Sequence, residues 1–200
     1  MGLSDVRRLG YGPVRDVLLQ ARYVSSSGEV VKAGGPTVKN VSGFDLPRLL
    51  VGSRGALGFF GELILRTRPL PRCSQWFTRP ATEASEVFGR LYKPISVLWN
   101  GSQVWVLLEG HETDIAQQAA AAGLVETDGP PTLPGGSRRS IPPADVSRQD
   151  GQFVAEVGIG VVHHSMPWSP PPRGDRELRL ARAIMQEFDP TGRLNPGVDV

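Results

Sequence analysis

Residues 34–71 read GGPTVKNVSGFDLPRLLVGSRGALGFFGELILRTRPLP, the most densely patterned stretch of the 200-residue chain. Glycines and prolines at both ends indicate turns, and the apolar residues within 44–50 have the spacing of a short helix. Pro47 fits the first turn of that helix, where backbone N–H groups have no helical partner. Alternating apolar and polar residues over 63–67 predict a strand that ends at Pro69.

Three glycines, Gly52, Gly55 and Gly58, fall within seven residues between the predicted helix and the predicted strand. Glycine lets a backbone approach a ligand closely, and the N–H groups of such a turn can bind an anion or a carbonyl-bearing ring. Glycine-rich turns also serve as purely structural connections. The cluster alone therefore leaves a cofactor-binding and a structural interpretation open.

The composition excludes several classes of protein. The net charge is +2, without a long basic run, so nucleic-acid binding is not expected. The single cysteine, Cys73, excludes an intrachain disulfide and a multi-cysteine metal site. No apolar run approaches the roughly 20 residues that span a bilayer, and the first residues lack the apolar core of a signal peptide.

Three segments in the order of the chain resemble the FAD-linked oxidases of the vanillyl-alcohol-oxidase superfamily, which have a PCMH-type FAD-binding domain. The segment KNVSGFDLPRLLVGSRGALGFFGE resembles the family's K-N-V-A-G-Y-D-L-x-K-L-x-V-G-S-x-G-T-L-G-V-I-x-E. LGYGPVRDVLLQARYVSSSGEVVKAGG resembles its Y-G-x-x-R-D-x-V-L and the hairpin that follows. LARAIMQEFDPTGRLNPG resembles its closing helix and F-D-P-x-G-x-x-N-P-G signature. The first segment is closest to the FAD-binding subunit of glycolate oxidase.

The resemblance implies an α+β fold, namely the second subdomain of a PCMH-type FAD-binding domain followed by a ferredoxin-like cap domain. Residues 1–72 would be the C-terminal part of the FAD-binding domain. Residues 73–172 would be the cap domain, with a mobile loop near 129–150. Residues 173–200 would form the C-terminal helix and a flavin-facing loop.

Local patterns agree with this division. Residues 14–33 predict a strand, a turn and a second strand. From Cys73 onward the pattern predicts strand, helix, strand, an Asn100-Gly101 turn, strand and helix, which is the order of half a ferredoxin-like fold. Residues 153–163 predict one further strand.

The resemblance also implies which residues contact the FAD. The turn that begins at Gly52 would lie against the flavin through its backbone, and the C-terminal loop would approach the isoalloxazine ring. The residues expected to bind or brace the cofactor are Asn40, Gly43, Asp45, Gly52, Ser53, Gly55, Leu57, Gly58, Phe59 and Asn195.

His163 is the candidate catalytic residue, because a histidine at the end of a buried strand can act as a base or anchor a substrate. The family's own catalytic histidine motif is absent here, and the sequence has only Gly158-Ile159-Gly160 before Val161, Val162 and His163. Packing at the end of the strand is the alternative role. No metal site is predicted, because the histidines lack a neighbouring carboxylate motif.

The expected function is that of a partial FAD-linked oxidoreductase subunit that oxidises a 2-hydroxy acid such as glycolate and transfers hydride to flavin. The family's first FAD-binding half is not in this sequence, so we expect the isolated chain to be inactive. A truncated, non-catalytic assembly module is the alternative. The implied partners are the catalytic flavoprotein and iron–sulfur subunits of a glycolate-oxidase-like complex, or the missing N-terminal half. The implied location is cytoplasmic, or peripheral to the inner membrane through those partners.

Overall fold

The computed structural model describes residues 4–37, 45–195 and 197, and the chain divides into two compact units. The first unit consists of Met1–Ser4, Pro13–Arg68 and Pro171–Val200, and the second of Asp5–Gly12 and Pro69–Pro170. Both combine helices with antiparallel strands, so the expected α+β class is confirmed.

Within those residues the elements, in chain order, are α1 (Arg8–Tyr11), α2 (Val14–Val17), β1 (Leu18–Val24), β2 (Val30–Gly34), α3 (Leu46–Leu50), β3 (Phe59–Leu65), β4 (Cys73–Pro80), α4 (Ser85–Phe88), β5 (Ser96–Trp99), β6 (Gln103–Gly110), α5 (Glu112–Ala122), β7 (Val125–Thr127), β8 (Ser137–Ser140), a 3-10 helix (Pro143–Arg148), β9 (Phe153–Glu156), β10 (Val161–His164) and α6 (Asp175–Phe188). None of these helices is long and apolar enough to cross a membrane.

The first unit is built on a three-stranded antiparallel sheet of order β2-β1-β3. The predicted hairpin over 14–33 is present as β1 and β2, but its first residues form the helical turn α2 instead of a strand. Alternate residues of β1 point to one face, where Ala21 and Tyr23 are buried together with Leu50 of α3 and Leu57.

Helix α6 completes this core with one apolar stripe. Ile184, Met185 and Phe188 lie on neighbouring turns of the helix and pack against the buried cluster of the first unit. Arg176 and Arg179 are exposed on the same helix. The amphipathic pattern of α6 therefore holds the C-terminal segment on the sheet.

The second unit is a seven-stranded antiparallel sheet of order β7-β4-β6-β5-β9-β10-β8. Its first four strands and their two helices, α4 and α5, follow the β-α-β-β-α-β order of a ferredoxin-like fold, as predicted. Asn100 closes the predicted tight turn, since its Oδ1 accepts hydrogen bonds from the backbone N–H groups of Ser102, at 3.1 Å, and Gln103, at 2.9 Å.

The core of the second unit accounts fully for the position of Trp99. Trp99 is 3% exposed, donates its Nε1–H to Ala81 O at 3.1 Å and meets the Phe153 ring edge-on with centroids 5.5 Å apart. Trp76 and Trp105 are half-buried on the opposite sheet face, as the register of β4 and β6 places them.

The single strand predicted over 153–163 is wrong. The structure has a hairpin of β9 and β10 with Glu156 opposite Val161. Gly158 at φ +82° and Gly160 at φ +74° make the reversal, because both adopt backbone angles that L side chains rarely adopt. The apolar residues around these glycines hide the turn, since they continue the hydrophobic run.

The loop predicted near 129–150 also contains regular structure. Residues Ser137–Ser140 form β8 at the edge of the large sheet, and Pro143–Arg148 form a 3-10 helix. The strand has the sequence SRRS, without an apolar alternation, so its pairing with β10 depends on the tertiary fold and not on local preference.

Replacing Gly58 with alanine should destabilise the first unit. The φ of Gly58 is +155°, and an added Cβ would lie 2.5 Å from Cδ2 of the buried Tyr23 ring. Strain and overpacking together should lower the free energy of unfolding by about 2 to 4 kcal/mol. Gly28→Ala is the control, because Gly28 has φ +85° with nothing within 4 Å of the new Cβ, and should cost only about 1 to 2 kcal/mol. Equal losses in urea unfolding would contradict this packing role.

Candidate functional site

Residues 52–58, here called the glycine loop, form a tight turn between α3 and β3. The N–H of Ser53 donates to Leu50 O at 3.2 Å, and the N–H of Ala56 donates to Ser53 O at 2.9 Å. The N–H groups of Gly52, Arg54 and Gly55 donate to no residue that the structure describes. The loop therefore presents backbone donors that a ligand can use.

The glycine loop is joined to the C-terminal segment by one hydrogen bond. Asn195 donates its Nδ2–H to Arg54 O at 2.6 Å, across 141 residues of chain. Both are non-glycine residues with positive φ, at +54° for Arg54 and +25° for Asn195. A Cβ added at Gly55 would lie 3.7 Å from Asn195 Cβ. Strained backbone held by surrounding contacts is typical of ligand-binding sites.

Asp189 organises the turn that carries Asn195. Its Oδ1 accepts from Arg193 N at 2.9 Å, and its Oδ2 accepts from Leu194 N at 2.6 Å. Desolvation tends to raise the pKa of Asp189, but the hydrogen bonds from Leu194, Arg193, Thr191 and Gly192 outweigh it and lower the pKa. The preceding Phe188 O accepts from Ser26 Oγ at 2.7 Å, which fixes the end of α6.

A cavity of about 380 Å³ lies beside the glycine loop. Gly52 and Ser53 line one side, and Ala181, Ile184 and Met185 of α6 line another. Arg54 and Arg173 also border it, which makes the lining partly cationic. Its volume is within the range of small-molecule sites, about 300 to 1,000 Å³.

The structure brings several residues of the expected cofactor site together. Two of them, Gly52 and Ser53, line the cavity. Asn195 contacts Arg54 O, and Gly55 lies beside Asn195. Phe59 follows the loop with 70% of its surface exposed.

Three other expected residues have different surroundings. Leu57 is 7% exposed and belongs to the core. Gly58 packs its Cα against the Tyr23 ring. Asp45 caps α3 by accepting from Arg48 N at 3.3 Å, and it pairs with the Arg48 guanidinium at 3.2 Å. Asn40 and Gly43 lie outside the described residues.

His163 lies in a buried polar cluster of the second unit. Its Nε2 is 2.8 Å from Glu156 Oε1, and Glu156 is 2% exposed. Arg138 Nη2 lies 3.9 Å from the same carboxylate oxygen. The neighbouring His164 contacts backbone only, with Nε2 2.9 Å from Asp150 O and Nδ1 accepting from Met166 N at 2.9 Å.

Glu156 and Arg138 are the residues that sequence reasoning missed. The hairpin explains why, since Glu156 and His163 are seven residues apart and would face opposite sides of one continuous strand. The reversal between β9 and β10 puts both on one face, with Arg138 directly opposite His163 on β8. A charged residue within the apolar run FVAEVGIGVV was the only available signal. In the part of the chain that the structure describes, no group of three or more His, Cys, Asp or Glu residues could hold a metal ion.

Two known proteins with similar sequences are subunits of glycolate oxidases. The chain is 29% identical over 240 residues to glycolate oxidase subunit GlcE of Escherichia coli, covering 98% of this chain and 69% of that protein. It is 29% identical over 135 residues to glycolate oxidase subunit GlcD of Bacillus subtilis, covering 64% of this chain and 29% of that protein. No protein-family model matches.

A solved structure supports the same fold. Alkyldihydroxyacetonephosphate synthase superposes with a TM-score of 0.57 at 11% identity, covering 96% of this chain and 54% of that one. Further sequence matches carry the name FAD-linked oxidoreductase. The predicted resemblance is therefore confirmed, since the chain is similar in sequence to FAD-linked oxidoreductases. Within that class it is similar to the glycolate oxidase subunits.

Replacing Asp189 with asparagine should release Asn195 from Arg54 O, because the turn loses its charged acceptor. The side-chain amide signal of Asn195 in a ¹⁵N–¹H correlation spectrum should shift to its solvent-exposed position, while Asp128→Asn, at an exposed site, should leave it unchanged. In the unaltered protein the pKa of Asp189 is lowered, so its stabilisation is complete above the ordinary value near 3.8 and is lost as pH falls through the lower folded value. An Asn195 amide signal that changes neither in the Asp189→Asn variant nor as the pH falls through the folded pKa of Asp189 would contradict this role.

Proposed function

We propose that the chain is part of an FAD-linked oxidoreductase that oxidises a small 2-hydroxy acid such as glycolate. The observation that carries the proposal is the contact between the glycine loop and Asn195, because the two segments that resemble the family's flavin-facing motifs meet there. Two non-glycine residues at positive φ meet at this contact, and backbone strain of this kind is typical of ligand-binding sites.

The residues present fit an FAD. A Cβ at Gly52 would meet open space, so that side of the loop is accessible to a ligand. The N–H groups of Gly52, Arg54 and Gly55 could donate to the carbonyl oxygens of a flavin ring. We infer that Gly52, Ser53, Gly55 and Asn195 hold the cofactor, with the Leu57 backbone and the exposed Phe59 ring beside it. When bound, the flavin accepts hydride from the carbon that carries the substrate hydroxyl.

His163 is the residue that we assign to the substrate. Its Nε2 is occupied by Glu156, and its Nδ1 has no partner among the described residues, so this nitrogen is free to accept a proton. Arg15 and the other exposed arginines lack comparable burial, whereas the Arg138 side chain is 28% exposed beside the same carboxylate. The polar cluster thus supports an acid–base role better than packing at a strand end.

The inferred partners are other subunits of a glycolate-oxidase-like complex or a separate FAD-binding half. Two similar proteins carry the word subunit in their names, and this chain spans 69% and 29% of their lengths. We therefore expect this chain to provide part of the cofactor contacts, and a partner to provide the rest.

Titrating the purified chain with FAD tests the proposal. We expect weak, saturable quenching of flavin fluorescence and loss of the yellow colour on desalting, because we infer that a partner provides some of the cofactor contacts. Gly55→Val should weaken binding by about tenfold or more, since a branched side chain there would fill the space beside Asn195, whose Cβ lies 3.7 Å from the position of the new Cβ. Gly28→Val is the control, because Gly28 has φ +85° and nothing lies within 4 Å of the added Cβ.

The absence of saturable FAD binding by a folded chain would contradict the proposed cofactor site. If that chain still bound another subunit of the complex, the non-catalytic assembly module would be the better interpretation. Equal FAD affinity in the Gly55 and Gly28 variants would place the cofactor elsewhere on the chain.

A further inference from the structure

We propose that the outer face of the three-stranded sheet in the first unit is a docking surface for a partner protein, and that the docked segment is acidic and partly apolar. The outer face is formed by Gln20, Arg22 and Val24 of β1 together with their neighbours on β2 and β3. These side chains carry the docking surface by themselves. That the partner is another subunit of the oxidoreductase rests on the proposed function.

The outer face lies opposite the core of the first unit. Ala21 and Tyr23 of β1 are buried in that core, and side chains alternate along a strand, so Gln20, Arg22 and Val24 point away from it. Strand pairing extends these three residues into an amide row of Gly34, Gln20 and Ile64, a charged row of Lys32, Arg22 and Glu62, and an apolar row of Val30, Val24 and Phe59.

The charged row is not balanced. Arg22 lies directly opposite Lys32, and like charges in that position are destabilising. Arg22 Nη1 is 3.2 Å from Glu62 Oε2, but Lys32 has no ion pair among the described residues. The row therefore has one more cation than anion, which favours a partner surface that carries negative charge.

The side chain of Gln20 carries an acceptor without a donor. Gln20 is 4% exposed, and its Oε1 is buried and has no hydrogen-bond partner. Because buried polar groups are almost always paired, this oxygen indicates a donor supplied by another molecule. A cavity of about 430 Å³ lies beside Gln20 and is also lined by Arg22, Val30, Lys32 and Glu62. The unpaired acceptor thus borders a space that a ligand can enter.

The apolar row extends the surface toward the glycine loop. Val30 is 62% exposed and Phe59 is 70% exposed, although both side chains are large and apolar. A second cavity, of about 260 Å³, is lined by Val24 and Val30 and by Arg22 and Glu62 of the charged row. Exposed apolar side chains that form one patch with a polar rim mark protein-interaction sites.

The spacing of the rows decides the kind of ligand. Gln20 and Val24 are four residues apart on β1, which corresponds to about 13 Å. A free anion such as phosphate reaches only the charged row. An extended peptide carries an apolar side chain, a carboxylate and a hydrogen-bond donor at matching two-residue intervals. A second copy of the chain, docked on itself by this face, would set excess positive charge against excess positive charge. An acidic, partly apolar segment of a different protein therefore fits all three rows.

The docking surface is tested by ¹⁵N–¹H correlation spectra of the full chain, titrated with two synthetic peptides. In the first peptide leucine, glutamate and asparagine alternate with serines, so that one side of the extended peptide presents all three. In the second peptide lysine replaces the glutamate. We expect saturable shifts at Gln20, Arg22 and Lys32 with the acidic peptide and none with the lysine peptide.

Substitutions on the outer face should weaken binding of the acidic peptide. Lys32→Glu should weaken it by about tenfold or more, because a charged contact becomes a repulsive one. Lys93→Glu is the control, since Lys93 is exposed in the second unit and the change in net charge is the same. Gln20→Leu should weaken binding by about fivefold, the loss expected for one neutral hydrogen bond. It should not lower the midpoint of urea unfolding, because it removes an unpaired buried oxygen.

Several results would overturn the docking surface. They are the absence of saturable shifts with the acidic peptide, an equal affinity in the two lysine variants, and the same shifts with inorganic phosphate at the same concentration, which would indicate a simple anion site. Self-association of the chain that Lys32→Glu abolishes would make a second copy the occupant and would also overturn it.

FAD affinity measured on the Lys32→Glu variant separates this proposal from the proposed function. We expect that affinity to be unchanged. An equal loss of FAD and peptide affinity would place both ligands at one site and would overturn a separate docking surface. A chain that binds the acidic peptide but never FAD would contradict the cofactor assignment alone.

Discussion

The hydrogen bond from Asn195 Nδ2 to Arg54 O, 2.6 Å long, is the contact on which the candidate cofactor site depends. It joins the glycine loop to the C-terminal turn, and both ends are at positive φ. Two conditions maintain it. Asp189 closes the turn by accepting from two backbone N–H groups, and the apolar stripe of α6 fixes that helix to the sheet of the first unit. Backbone strain at the contact is thus stabilised by hydrogen bonding and packing outside it.

The second unit contains a buried pair of polar side chains. Its sheet buries Glu156 and His163 together, although burial of a charged group is costly unless it is paired. Pairing through a single oxygen leaves Oε2, Arg138 Nη2 and Ser96 Oγ without partners. Stability alone would favour an apolar replacement of this cluster.

Much of the fold could be predicted because its signals are local. Pro47 and the helical spacing around it gave α3, and Asn100-Gly101 gave the hairpin of β5 and β6. The ferredoxin-like order of strands and helices could be predicted because the spacing of apolar residues alternates between strand-type and helix-type along residues 73–122. The β9–β10 hairpin was missed because its apolar residues continue across Gly158 and Gly160. Glu156 and Arg138 were missed with it, since only tertiary pairing brings them to His163.

The most direct test of the central claim is a map of ¹⁵N–¹H chemical shifts in the chain on addition of FAD, compared with ADP. ADP shares the adenine and the pyrophosphate of FAD but lacks the flavin ring. A flavin-facing contact predicts shifts at Gly52, Gly55 and the Asn195 side chain with FAD and not with ADP. Equal shifts with both nucleotides, or FAD shifts confined to residues away from the glycine loop, would contradict it.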